Sequence, residues 1–327
     1  MAVNAIFKVF VKLIALLCAS SIAHAQSADT YPSRAIKLLV GYATGGPNDL
    51  IARSVATKLG DIWTQAVVVD NRPGASGIVA GQAVARSDPD GYTLILDGVT
   101  HSIVPALFDN LPFDPLNDFT SVGQVAYAPT ILLLNQNVAA RTVPELIALA
   151  KARPGSLNYS SSGKGTSTHI GMELFKQEAN IDVVHIAYKG SAPAMTDLIG
   201  GQIQIAMTSL PGALPSVRSG KIRALAVAGA KREKDLPGVP TIAESGFPGF
   251  DVGTWWGVFG PPRLPRNIVE KLNGGINRTL QDTEVQQRMT AIGGEARGST
   301  PERFDELVRK DAARFGVIIR KLGIRPD

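Results

Sequence analysis

The chain alternates between two kinds of segment, which differ in the spacing of their apolar residues. Short apolar runs of the strand type, the first at residues 36–40, are followed by longer stretches with apolar residues at helical spacing. The first long stretch starts at Pro47 and places Ile51, Val55 and Leu59 on one face. This alternation is typical of β-α-β units and predicts an α/β fold built on parallel strands.

The same periodicity predicts the other elements of the first two thirds of the chain. Further strands are expected at residues 67–69, 92–96, 183–187, 203–206 and 223–228. A short helix is expected at residues 78–86. Another should follow Thr142, because Glu145 three residues later completes a capping-box pattern.

The pattern changes after an aromatic strand that ends at Pro261 and Pro262. Three helices are expected from there to the C-terminus, and the last is expected to begin near Pro301 and to carry apolar residues from Phe304 to Leu322 on one face. Such a tail should pack on an existing sheet. Two lobes are predicted, with the chain crossing between them near residues 125–130 and 249–255.

The N-terminus has the three parts of an export signal. Lys8 and Lys12 precede a short apolar run, and Ala23 and Ala25 occupy the positions that signal peptidase prefers. We expect residues 1–25 to be cleaved off, with Cys18 among them. A membrane anchor is the alternative, but the apolar run is short for a span of about 20 residues.

Removing that leader changes what the composition implies. The mature chain has no cysteine, so disulfides and cysteine-based zinc sites are excluded. The full chain has 33 basic and 28 acidic residues, a net charge of +5, which falls to +3 without the two leader lysines. No basic tract is present, so we expect no nucleic-acid partner. A mild positive field favours the approach of anions.

Two glycine-containing loops are the strongest candidates for a binding site. Residues 41–49 join a strand to a helix, with Gly45 and Gly46 just before Pro47. Residues 159–169 repeat this arrangement with several hydroxyl side chains. Free N–H groups at a helix start attract anions. Two such loops predict a ligand with two acid ends, although a plain turn and a Ser/Thr-rich cap are the structural alternatives.

Enzyme motifs are lacking. Residues 74–77 do not complete a G-x-S-x-G elbow, and neither glycine loop has the Walker or dinucleotide-binding spacing. The mature histidines form no metal-ligand cluster. His185 is expected in the core, whereas His101 and His169 either face a ligand or brace a loop. One of Trp255 and Trp256 is expected in the core, and the other is a candidate wall of a cleft.

Many short motifs of this chain, in their order and spacing, resemble those of the Bug family, the periplasmic receptors of tripartite tricarboxylate transporters. They lie at residues 31–34, 45–49, 69–75, 89–94, 157–169, 188–190, 197–202, 225–227 and 240–241. The resemblance implies a type II periplasmic-binding-protein fold, a Venus flytrap of two α/β lobes around a cleft. The expected boundaries are 26–126 with 252–327 for one lobe, and 127–251 for the other.

The resemblance also implies a function. The chain is expected to be a monomeric periplasmic receptor, without catalysis, cofactor or metal, that captures a small organic acid and presents its closed form to the membrane permease. The alternative partner is a sensor kinase. Family positions imply these ligand-binding residues: Tyr42, Thr44, Gly45, Asp49, Asp97, Thr100, His101, Ser162, Gly163, Lys164, Gly165, Thr166, Ser167, His169, Asp197 and Thr208.

Four positions depart from the family pattern and leave the ligand open. Tyr42 adds a hydroxyl where phenylalanine is usual, and Pro47 removes one N–H donor. Lys164 stands at a variable position and is able to add positive charge. Asp97 either recognises an ammonium group or caps the helix after it. Dicarboxylates, amino acids, aromatic acids and amides therefore all remain candidate ligands.

Overall fold

A computed structural model describes residues 31–108, 110–292 and 294–324, so the expected signal peptide lies outside the described residues. The helices are α1 Pro47–Trp63, α2 Ile78–Ala85, α3 Thr100–Leu107, α4 Val143–Ala152, α5 Ser167–Ala179, α6 Ser191–Ile199, α7 Leu210–Arg218, α8 Arg266–Leu280, α9 Thr283–Ile292 and α10 Pro301–Leu322. The strands are β1 Ile36–Val40, β2 Val67–Asn71, β3 Thr93–Gly98, β4 Thr120–Asn135, β5 Asn158–Ser161, β6 Val184–Ala187, β7 Ile205–Ser209, β8 Ile222–Val227, β9 Gly253–Gly260 and β10 Glu295–Ala296.

Helix α1 shows how the sequence sets these bounds. Gly46 is its N-cap in extended conformation, and Pro47 occupies the first turn, where a missing N–H costs nothing. Ile51, Val55 and Leu59 are buried, as their spacing predicts. The helix ends at Thr64, which adopts the left-handed conformation that closes many helices.

The strands form one continuous sheet in the order β2-β1-β3-β9-β4-β7-β5-β6, with β8 and β10 also paired to β4. The β2-β1-β3 group is parallel, and so is the β7-β5-β6 group. Strands β4 and β9 are antiparallel to their neighbours and join the two groups. The βαβ prediction therefore holds for the two outer groups, while the centre is antiparallel.

Strand β4 connects the two parallel groups of the sheet. Its first half pairs with β9 and its second half pairs with β7 and β8. At the change of partners the Thr130 amide donates to the Val252 carbonyl (3.1 Å), and the Ala228 amide donates to the Thr130 carbonyl (2.8 Å). The Val252 amide donates to the Ala228 carbonyl (2.6 Å). Three chain segments are thus hydrogen-bonded to one another where β4 changes partners.

Both faces of each parallel group are covered by a hydrophobic cluster. The C-terminal helix α10 supplies Phe304, Val308, Phe315 and Ile319 to the cluster on one face of β3 and β9. This packing confirms that the C-terminal tail rests on an existing sheet. Within the part of the chain that the structure describes, no helix is both long and apolar enough to cross a membrane.

Candidate functional site

A small polar cavity lies where the carboxyl ends of strands from both parallel groups meet. Its volume is about 30 Å³, enough for about one or two water molecules. The side chains and glycine that line it carry no formal charge. They are Tyr42, Pro47, Asn48, Gly98, Thr100, Ser162, Ser167, Thr168, Ser191, Ser209, Thr254 and Trp256. We call this space the inner cavity.

Five helices begin at the inner cavity. Its lining includes the first residues of α1, α3, α5 and α6, which are Pro47, Thr100, Ser167 and Ser191, and the N-cap of α7, Ser209. A helix N-terminus carries roughly half a positive charge from its aligned peptide dipoles. Five helices that begin at one neutral cavity favour an anion there, although no side chain of the lining is cationic.

A second, wider cavity adjoins the first. It has a volume of about 290 Å³ and is shared by the two predicted lobes. Tyr42 and Ser162 line both spaces, so the two cavities share part of their walls. We call it the outer cavity; it is lined by Gly41, Tyr42, Gly74, Ala75, Ser76, Phe108, Ser162, Gly163, Lys164, Ala187, Tyr188 and Lys189.

The first glycine loop contributes Tyr42 to both cavities. The Tyr42 hydroxyl donates to the Ser76 carbonyl (3.2 Å), and burial, with the nearby charge of Asp97, raises the pKa of Tyr42 above its ordinary value. Thr44 and Gly45, predicted as ligand contacts, are exposed and line neither cavity.

Asp49, also predicted as a contact, is buried and braces the first loop. Its carboxylate accepts from the Gly45 amide (3.0 Å) and from Arg53 Nε (2.9 Å). Burial acts to raise the pKa of Asp49, but these hydrogen bonds outweigh it and lower the pKa. The carboxylate therefore stays ionised and holds the turn before α1, away from the lining of both cavities.

The second glycine loop supplies lining to both cavities. Ser162 and Ser167 line the inner cavity, and Ser162, Gly163 and Lys164 line the outer one. Among the described residues, none makes a hydrogen bond to the Ser167 hydroxyl, although the residue is only 6% exposed. Gly165 has a φ of +73°, which requires glycine-like freedom, and packs against Leu107.

Thr166 has a structural role in the second loop. Its hydroxyl donates to the Gly163 carbonyl (2.8 Å) and accepts from the His169 amide (3.4 Å), so it caps α5. The sequence predicted that Thr166 and Ser167 both donate to a ligand. Because the Thr166 hydroxyl is engaged in the cap, we propose direct ligand contact for Ser167 and not for Thr166.

We expect Thr166→Val to reduce the free energy of unfolding by about 0.5–2 kcal/mol, the usual cost of a lost N-cap. Urea unfolding followed by circular dichroism measures this change. Thr166→Ser, which keeps the hydroxyl, is the matched control and should retain most of the stability. Equal stability of wild type and Thr166→Val would contradict the capping role.

His169 and His185 stack on each other behind this loop, with ring centroids 4.1 Å apart. His169 Nδ1 accepts from the Gly165 amide (3.0 Å), and His185 Nε2 lies 2.7 Å from the Ser161 hydroxyl. Burial lowers the pKa of His169 to about 4 and that of His185 to about 3. Burial therefore keeps both rings neutral near pH 7, and their contacts brace the loop.

The depressed histidine pKa values predict a loss of stability in mild acid. Unfolding returns each pKa to about 6.5, so below that pH the unfolded state binds more protons and stability falls as pH drops towards 4. Asp49 titrates below this window. Urea unfolding at pH 7.0, 5.5 and 4.5 should show the decline, and His185→Gln should flatten it. A wild-type stability independent of pH over this range would refute the argument.

The junction of β3 and α3 divides its predicted residues between the cavity and the core. Thr100 lines the inner cavity. His101 instead stacks on Phe259 (4.2 Å between ring centroids), and its Nε2 lies 2.7 Å from the Pro115 carbonyl. Asp97 accepts from the Gly98 amide (2.8 Å) and lies 3.4 Å from His101 Nδ1. His101 thus braces this junction, and neither it nor Asp97 lines the two cavities.

The last two predicted residues lie behind the lining. Asp197 accepts from the Tyr188 hydroxyl (2.6 Å) and so fixes a wall of the outer cavity. The Thr208 hydroxyl donates to the Ser191 hydroxyl (3.2 Å), and Ser191 lines the inner cavity. Among the residues that the structure describes, no group of three or more His, Cys, Asp or Glu side chains is placed to hold a metal ion.

Several lining residues were missed at the sequence level. Asn48, Ser191 and Thr254 were not predicted, and Trp256 was not distinguished from Trp255. The structure places Trp256 at the inner cavity, whereas Trp255 donates from its indole nitrogen to Asp311 (2.7 Å) in the core. A usable signal existed for Asn48 and Ser191, because each lies in the first turn of a helix that follows a strand.

Comparison with known proteins identifies the family. Residues 51–324 match the model of the tripartite tricarboxylate transporter family receptor. The solved periplasmic binding protein BugD is 31% identical, with a TM-score of 0.88, over 91% of this chain and all of BugD. An R. palustris protein solved with adipate is 34% identical (TM-score 0.88, 91% of this chain and all of that protein). MatC from Rhodopseudomonas palustris, solved with bound malate, is 30% identical (TM-score 0.85, 88% of this chain and all of MatC).

The chain therefore belongs to the tripartite tricarboxylate transporter receptor family. The predicted α/β fold of two lobes, of the periplasmic-binding-protein type, is confirmed by these structural neighbours. The predicted lobe boundaries and the individual ligand contacts stay predictions.

Proposed function

We propose that this receptor captures a small carboxylate in the inner cavity and presents its closed, liganded form to the permease of a tripartite transporter. The observation that carries the proposal is the convergence of five helix N-termini on one small cavity without charged lining. A carboxylate that binds there exchanges its hydrating water for hydroxyl and amide donors of the protein, in a field that favours negative charge.

The size of the inner cavity supports a mechanism of opening and closing. A space of about 30 Å³ holds little more than water, so we propose that the lobes separate when the acid group of the ligand enters. Two hydrogen bonds join residues of the two predicted lobes. The Ala43 amide donates to the Lys189 carbonyl (3.3 Å), and the Ser76 hydroxyl donates to the Lys164 carbonyl. A ligand favours closure only if it contacts both lobes better in the closed form.

We propose a division of roles among the predicted site residues. Thr100, Ser162 and Ser167, which line the inner cavity, contact the buried acid group. Tyr42, whose hydroxyl donates to the Ser76 carbonyl, forms the wall beside it. Gly163 and Lys164 face the distal end of the ligand in the outer cavity. The other predicted residues position these loops. They are Thr44, Gly45, Asp49, Asp97, His101, Gly165, Thr166, His169, Asp197 and Thr208. Adipate and malate, the molecules in two related structures, are natural first probes.

Isothermal titration calorimetry tests the proposal with adipate and malate, each paired with its uncharged diamide. The diamides have nearly the same shape without the charge. We expect at least one acid to bind with a Kd in the micromolar range or below, and its diamide to bind at least about 100-fold more weakly, since hydrogen bonds to charged groups are the stronger ones. Equal affinity for acid and diamide would overturn anion recognition.

Export belongs to the same proposal. A periplasmic receptor requires a leader, and residues 1–25, which lie outside the described residues, carry the signal-peptide pattern. N-terminal sequencing of the protein from the periplasmic fraction should start at Gln26. Recovery of a membrane-bound form that keeps Met1 would contradict this localisation.

A further inference from the structure

A hydrogen bond between Trp256 and Asn48 fixes the orientation of the Asn48 side-chain amide at the inner cavity. The indole nitrogen of Trp256 donates to Asn48 Oδ1 (3.1 Å). Because an indole N–H is a donor only, its partner must be the amide oxygen, and the Asn48 NH₂ group is the end that remains. Among the described residues, none accepts from that NH₂ group. Asn48, which lines the cavity, therefore keeps both N–H donors for a ligand, while Trp256 occupies one of the two lone pairs of its oxygen.

None of the other residues that line the inner cavity carries a negative charge. The buried carboxylates Asp97 and Asp49 lie outside this lining and have other partners: Asp97 accepts from the Gly98 amide (2.8 Å) and lies 3.4 Å from His101 Nδ1, and Asp49 accepts from Arg53 and the Gly45 amide. Ser167 and Ser209 are 6% and 5% exposed, line the cavity, and have no hydrogen-bond partner among the described residues. Both hydroxyls are thus available to donate to a ligand oxygen.

We infer that the Asn48 amide, oriented by Trp256, selects acids whose buried end presents only oxygen acceptors and rejects acids with an ammonium group beside that end. This inference rests on the proposed function and narrows its substrate class to organic acids without an α-amino group. An ammonium group at this place would meet the Asn48 N–H groups and five helix N-termini, and no carboxylate lines the cavity to pair with it. A desolvated charge without a partner is strongly unfavourable.

The first test uses the wild-type protein and two ligand pairs, adipate against 2-aminoadipate and malate against aspartate, measured by calorimetry. Each pair shares its carbon skeleton and its two carboxylates. The amino acid of each pair should bind at least about 10-fold more weakly than its partner. Equal or tighter binding of 2-aminoadipate or aspartate would overturn the inference while leaving carboxylate capture intact. Binding of none of the four acids would refute the proposed function and this inference with it.

The second test is Asn48→Asp, which keeps the side-chain shape and the acceptor for Trp256 but replaces the NH₂ donors with a second carboxylate oxygen. An acidic residue is favoured in the first turn of a helix, so this variant should fold. It should bind adipate or malate about 10- to 100-fold more weakly, and the penalty against the amino acid of the pair should shrink.

The matched control is Asn267→Asp, because Asn267 is likewise the second residue of a helix, α8, but is exposed and lines neither cavity. Its affinities should equal those of the wild type. If Asn48→Asp keeps both the affinity and the discrimination of the wild type, Asn48 does not recognise the ligand and the inference is wrong.

Discussion

Replacing Ser167 and Ser209 together with alanine should weaken binding of the preferred acid by about 100-fold or more. Each hydroxyl lines the inner cavity and lacks a protein partner among the described residues. Losing one hydrogen bond to a charged group costs about 1.5–3 kcal/mol, which corresponds to roughly one to two decades in Kd. The same calorimetric titration measures this loss.

Stability should change little in this double variant, which separates binding from folding. Ser209 is the N-cap of α7 but its side chain makes no capping hydrogen bond, and Ser167 follows the true cap of α5, Thr166. Ser219→Ala, at the exposed other end of α7, is the control and should bind normally. If the double variant binds as tightly as the wild type, the acid group lies outside the inner cavity.

Phe304→Ala should lower the free energy of unfolding by about 3–5 kcal/mol, the range for removing a fully buried aromatic side chain. Phe304 is completely buried, packs edge-on against Trp255 (5.2 Å between ring centroids) and lies tilted against Phe259 (4.9 Å). Its ring also fills the space next to Gly257, where an added Cβ would lie 2.0 Å from it. The cavity left by alanine cannot collapse easily against this rigid strand.

Urea unfolding of the wild type and Phe304→Ala measures this loss. Val317→Ala on the same helix is the control, because Val317 is 59% exposed and should contribute little. A loss below about 1 kcal/mol for Phe304→Ala would mean that α10 is a peripheral element and not part of the core that supports β9.

Local pattern was sufficient for most helices and outer strands, because periodicity and caps act over a few residues. The helices starting at Pro47, Val143 and Pro301 begin where their proline and cap signals predict. Strand β4 was not predicted as one element of 16 residues, because its pairing partners change along its length and lie more than 70 residues away in sequence. Nothing within the strand itself signals those partners.

Local pattern also located both glycine loops but did not assign the roles of their side chains. Thr166 and Ser167 are adjacent hydroxyl residues at the same helix start, yet one caps the helix and the other lines the cavity. His101 was as plausible a ligand contact as Thr100 until the structure stacked its ring on Phe259. Which of two neighbouring side chains points inward depends on backbone torsions that residue types alone do not specify.

By itself, the sequence determined the α/β class, the family resemblance and the two anion-competent loops, since each is a property of short segments. Only the tertiary structure decided that five helix starts meet at one cavity. Their first residues range from Pro47 to Leu210 along the chain. They converge because β4 and β9 hold the two parallel groups in one sheet, so that strand ends from both groups face the same point. The orientation of Asn48 by Trp256, 208 residues later in the chain, depends on that same juxtaposition.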